Sequence, residues 1–300
     1  MLMLFLKNLL FPNKTIYNLG LCRILFYGLA LEEMWAKTYL IKKFYHFQLV
    51  PRELWTPVGF FHFYPKDLVL SELQCYLLLN ILGLFLFFAM IGFLTRISAL
   101  ISFLLAFLFL GYPNNFGTVF DGNNLFLITL FILIFSNMGS FLSVDNLFKK
   151  PLNKKNKEFN LVWSFWTIKL IITLICLFYL TSGLQKLRLS GLEWFLSDHM
   201  SISLIHMGVP IGMYLSQFLL FSKFMALNGI IIQLLAFIPL VYPRSTTLFF
   251  FLFAFFHVVI DVTLGPHFNT HFTVLLFLLP LGNLLGLNKE EGGGKVFFFK

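Results

Sequence analysis

The chain has 300 residues, of which 59% are hydrophobic and only 12% charged, and its mean hydropathy is +0.85. A soluble domain carries about 25% charged residues, so a chain this apolar has more greasy surface than a water-facing globule of its size can hide. Lipid is the solvent that accepts it, and a soluble fold is excluded. The net charge of +9 is no sign of nucleic acid, because the basic residues form no stripe and sit in short gaps between apolar runs, where the positive-inside bias places them.

In chain order, the segment 1–15 predicts an interfacial helix held by Lys7 and Lys14. It has neither a basic n-region nor a small-residue cleavage site, so a signal peptide is not expected. Spans are then predicted at 16–32, 71–94, 97–113, 124–142, 162–182, 226–243, 246–264 and 270–287. The stretch 201–222 is apolar but interrupted by His206, Gly208, Pro210 and Gly212, and reads as re-entrant or interfacial. The fold class is an all-α polytopic bundle of about eight spans, with seven to nine allowed. It occupies 16–287, and a tail covers 288–300.

Orientation follows from Lys and Arg. Lys149, Lys150, Lys154, Lys155 and Lys157 crowd the connector 143–161, whereas loop 114–123 has no basic residue. Both termini are therefore expected in the cytoplasm, in a multi-pass protein of the cell membrane with the lipid bilayer as its first partner. On this map the segments 33–70 and 183–225 share the outer face. The first carries Trp35, Tyr45, His46, Trp55, His62 and Tyr64; the second carries Lys186, Glu193, Trp194, His199 and His206. Long segments on one face of a helical scaffold are where sites are built.

Cys22, Cys75 and Cys176 all lie within apolar runs and form no Cys-x-x-Cys pair, so thiol–disulfide chemistry has no machinery. His267 and His271 stand at metal-ligand spacing, but no third ligand follows at a recognisable interval, and no metal is expected. Arg23 lies inside a span, where it either snorkels inward or pairs with an acid such as Glu32, Glu33 or Asp261.

Five motifs occur in a telling order. They are Arg23-Ile24-Leu25-Phe26-Tyr27-Gly28; Thr95-Arg96-Ile97-Ser98; Asn123-Asn124 followed by Ser143-Val144-Asp145; Tyr179-x-x-x-Gly183-x-x-Lys186-Leu187 followed by Trp194; and Phe256-His257. Together they resemble the vitamin K-dependent γ-glutamyl carboxylases and the wider horizontally transferred transmembrane (HTTM) superfamily, from about residue 12 to 286. Leu125 stands where the carboxylases have a His, and Gln233 where many HTTM proteins have a Glu. The large luminal domain that follows the spans in the carboxylases is not expected here.

The resemblance implies a reduced naphthoquinone of the vitamin K type as cofactor, with Lys186 as the base that deprotonates it. Burial in an apolar pocket makes an amine a better base by disfavouring its ammonium form. His257 and Asp261, four residues apart, share a helix face, and the carboxylate can set the imidazole tautomer. Tyr179, Trp194 and Asn124 are the candidate cofactor-binding residues. Whether the chain is an enzyme stays open at this point. One reading is a quinol-oxidising enzyme of the carboxylase or epoxidase type, a lyase. The other is a non-carboxylating HTTM protein of the sporulation-delaying protein B type, which assists maturation of a secreted peptide or protein. A transporter would show internal repeats or paired broken helices, and no repeat is found.

Overall fold

The computed structural model describes residues 16–35, 41–42, 46, 48–57, 62–64, 69–116, 121–148, 154–207, 209–265 and 269–285. The expected interfacial helix over 1–15, the tail 288–300 and His267 lie outside them. Helices dominate, and no β-strand occurs among the described residues. The principal ones are α1 (Ile16–Trp35), α2 (Glu72–Ile91), α3 (Thr95–Gly111), α4 (Asp121–Ile134), α5 (Lys154–Ser190), α6 (His199–Met207), α7 (Pro210–Ser216), α8 (Leu219–Leu234), α9 (Thr246–Leu264) and α10 (Asn269–Leu275).

Among the described residues, four helical stretches are long and apolar enough to cross a membrane: Glu72–Ile91, Trp163–Ser190, Leu219–Val241 and Pro243–Leu264. Thr95–Gly111, Asn123–Ile134 and Asn269–Leu278 are apolar but shorter. Helix α1 has 20 residues, yet Arg23, Glu32 and Glu33 make it more polar than these. Exposed large apolar residues, such as Leu73, Leu77, Leu248, Phe251 and Phe255, suit lipid on the outer faces of such helices.

The chain divides into two compact units, residues 1–169 with 280–300, and residues 170–279. In the first, α1 packs on α2, α2 on α3 and α3 on α4. Ser71 and Gln74 start α2 with a reciprocal capping box, Ser71 Oγ accepting from Gln74 N and Gln74 Oε1 accepting from Ser71 N at 2.8 Å. The turn Leu281–Leu284 returns to α1, where Asn18 Oδ1 accepts from Gly282 N at 3.1 Å.

In the second unit α6, α7, α8 and α9 pack on one another, and α10 on α9. The stretch expected to be re-entrant or interfacial holds two short helices packed on each other: α6 and α7 have nine and seven residues, too few to cross, with Val209 extended before α7 and Pro210 in its first turn. Gly212 of α7 lies directly on the backbone carbonyl of Thr263 in α9. Helix α8 begins at Leu219, seven residues before the predicted start at 226. Farther along, Pro239 has no N–H to give the Leu235 carbonyl, and the ladder tightens to a 3₁₀ turn over Leu235–Phe237.

Candidate functional site

Tyr179, Gly183 and Lys186 stand at positions i, i+4 and i+7 of α5, which places them on one face of the helix. The predicted span ended at 182 with a loop beyond it; instead α5 runs on to Ser190. Gln185, Lys186 and Arg188 end the apolar run without ending the helix, because all three are good helix formers and no Pro or Gly intervenes before Gly191. Lys186 is therefore fixed on a rigid element.

Its ammonium donates to Gln233 Oε1 of α8 at 2.8 Å and lies 5.4 Å from the centre of the Trp194 ring. The Trp194 ring in turn sits 4.6 Å from that of His199. No carboxylate bonds Lys186 among the described residues. Gln233 is a neutral acceptor, so it orients the amine without the charge that would hold a proton in place. Gly183 makes this approach of α5 and α8 possible: a Cβ there would stand 3.0 Å from Gln233 Cβ.

Two turns toward the start of α5, Tyr179 enters a second polar group. Its hydroxyl lies 2.5 Å from His257 Nε2 of α9, and the same nitrogen lies 3.3 Å from His271 Nδ1 of α10. All three side chains are buried, at 2%, 3% and 2% exposure. The Tyr179 ring stacks on Phe253 at 3.9 Å, nearly parallel, so one of its faces is taken by protein. Asp261 follows His257 by one turn of α9 and is half-buried. The His257–His271 contact escaped sequence reasoning because the two belong to different helices; their common placement in apolar runs was the available signal.

Several other sequence candidates fall in the first unit. Asn124 is half-buried on α4. Trp55 and Tyr64 join Tyr112 in an aromatic cluster, with ring centres 5.4 to 6.0 Å apart, and Tyr64 donates to the Leu108 carbonyl at 2.5 Å. His46 and His62 are exposed.

Three of the five motifs meet at one joint of that unit. Arg23, fully buried, donates to the carbonyls of Met138 at 2.8 Å, Phe141 at 3.4 Å and Leu142. Asp145 accepts from Leu94 N, Thr95 N and Thr95 Oγ1 at 2.8, 2.8 and 2.6 Å, capping α3. Asp145 N donates back to Gly92 O at 2.9 Å. Gly92 has φ +73°, and a Cβ on it would meet Ser143 and the Arg23 guanidinium. Leu94 and Leu142 both hold positive φ here, 44° and 48°, a strained conformation that the surrounding bonds impose. This joint binds the α2–α3 turn to the segment after α4, chiefly through bonds from Arg23 and Asp145 to main-chain groups.

Among the described residues no three His, Cys, Asp or Glu side chains gather as a metal cluster. No protein-family model, curated protein or solved structure matches the chain.

Proposed function

We propose that the protein is a multi-pass enzyme of the cell membrane, of the carboxylase-like HTTM type, in which Lys186 takes a proton from a reduced naphthoquinone at the outer face. The topology that goes with this reading has about eight spans and both termini in the cytoplasm, as the Lys and Arg distribution favours. The observation that carries the reading is the setting of Lys186: a half-buried amine on a rigid helix, oriented by a neutral amide and flanked by an indole face. An amine used as a base is served by a fixed direction and a neutral neighbour rather than a counter-charge that would hold its proton.

Trp194 and His199 place aromatic rings beside the amine, the kind of surface against which a planar aromatic guest packs. When bound, a reduced naphthoquinone supplies an acidic phenol and two electrons for dioxygen. Lys186 Nζ accepts the proton, Gln233 holds the amine in line, and Trp194 covers it from water. Tyr179 and His257, two turns away and buried, support this end of α5 from below.

The test is oxygen uptake by the full chain in vesicles supplied with a reduced naphthoquinone. Wild type is expected to consume oxygen, and Lys186→Arg, which keeps the charge but cannot serve as a base, is expected to lose the activity while melting at the same temperature. Equal rates in the two proteins overturn the reading and leave the maturation of a secreted peptide as the better account.

A further inference from the structure

We propose that Tyr179, His257 and His271 form a buried binding site for a divalent transition metal of the zinc class. This site is separate from the amine of Lys186 and stands whether or not the quinone reading holds.

The argument begins with one nitrogen. His257 Nε2 faces the Tyr179 hydroxyl at 2.5 Å and His271 Nδ1 at 3.3 Å. A ring nitrogen is either one donor or one acceptor. If it carries no proton, its single lone pair is approached by both the phenol and the second imidazole nitrogen. If it is protonated, its single N–H is divided between the phenol oxygen and His271 Nδ1. Two partners on two helices converge on an atom that serves one of them well.

A cation would relieve the crowding, because a phenolate oxygen and two imidazole nitrogens each have a lone pair to give it. In a tetrahedral site with metal–nitrogen bonds of about 2.0–2.1 Å, two ligand nitrogens lie about 3.3 Å apart, which is the separation found between His257 and His271. The phenol oxygen has only to draw back by a fraction of an ångström. On binding, Tyr179 loses its phenolic proton, and the phenolate offsets one of the two positive charges. The fourth position is left for water, whose ionisation to hydroxide would offset the other.

Placement supports the same conclusion. The three ligands come from α5, α9 and α10, and all are buried among apolar residues, with Phe253 against Tyr179 and Phe178 against His271 at 5.2 Å. Polar groups that cost this much to bury in an apolar bundle mark sites.

The experiment uses the full chain without an affinity tag, purified in detergent, stripped with a chelator and titrated with Co²⁺ and then Zn²⁺. The expected result is about one Co²⁺ per chain with the strong visible absorption of a four-coordinate ion, bleached when Zn²⁺ displaces it. His271→Ala and His257→Ala should each lose at least about tenfold in affinity, and Tyr179→Phe, which keeps the stack on Phe253, should shift the absorption band. Wild-type protein that takes up no Co²⁺ overturns the proposal whatever the variants do. So does uptake that folded His271→Ala retains in full, which would mark surface binding. Helical content by circular dichroism shows which variants are folded.

Discussion

Gly183 and Gln233 are packed so closely that a methyl group on the glycine would stand 3.0 Å from Gln233 Cβ and 3.4 Å from its carbonyl carbon. The same Gln233 receives the Lys186 ammonium three residues farther along α5. The spacing of the Tyr179, Gly183 and Lys186 motif thus has a mechanical meaning: the glycine brings α8 near enough for the lysine to reach its partner.

Gly183→Ala sets two effects against each other. Alanine gains about 1 kcal/mol of helix propensity, while overpacking costs about 1–3 kcal/mol. The expected outcome is a melting temperature within a few degrees of wild type but a clear loss of any activity that depends on Lys186, because the helices must separate by tenths of an ångström. Gly183→Val should lose both. A Gly183→Ala protein with full activity would show that the approach of the two helices does not matter.

Arg23→Lys should destabilise the first unit despite keeping the charge. One guanidinium serves the carbonyls of Met138, Phe141 and Leu142; an ammonium on a shorter stem cannot fork across them. Each buried acceptor left unpaired costs about 1–3 kcal/mol. Thermal unfolding in detergent should show a drop of several degrees, and a larger one for Arg23→Met. An unchanged melting point for both variants would contradict the assignment of Arg23 as the anchor of that turn.

Asp145→Ala removes three acceptor contacts from the start of α3. Loss of a cap costs up to about 2 kcal/mol, and Asp145→Asn, which retains one acceptor oxygen, should cost about half as much. Denaturant titrations of the two variants should rank in that order. If Asn were worse than Ala, the carboxylate would not be acting as a cap.

What sequence could and could not convey differs by kind of contact. Apolar runs long enough to cross were readable for α2, α5, α8 and α9, because hydropathy alone defines them. The end of α5 was not, since Lys186 and Arg188 mark where lipid-like composition stops, and a helix need not stop there. Arg23 was expected to snorkel or to pair with an acid, yet its partners are backbone carbonyls, which every residue possesses and no sequence displays. Tyr179, Gly183 and Lys186 were legible as a set only through the resemblance of their spacing to a family motif. His271 was read with His267, its neighbour in sequence, whereas the fold brings it to His257 of the preceding helix.

The topology can be checked without disturbing the core. Cys22, Cys75 and Cys176 are all buried, so the natural chain gives little background with an impermeant thiol reagent. In intact cells, Thr118→Cys and Asp198→Cys should be labelled from outside and Lys154→Cys should not, because loop 114–123 lacks basic residues and the connector 143–161 is rich in them. Labelling at 154 would reverse the map and place Lys186 on the opposite face.

The contact of Gly212 with the Thr263 carbonyl bears on how this chain can change over time. The crossing of α7 and α9 leaves no room for even one carbon, and the obstacle is main chain, which no rotamer change can move aside. A larger residue at 212 is admissible only if the whole of α7 retreats from α9. Drift at this site should therefore be rare in descendants of the protein, and where it occurs it should travel with altered packing along both helices.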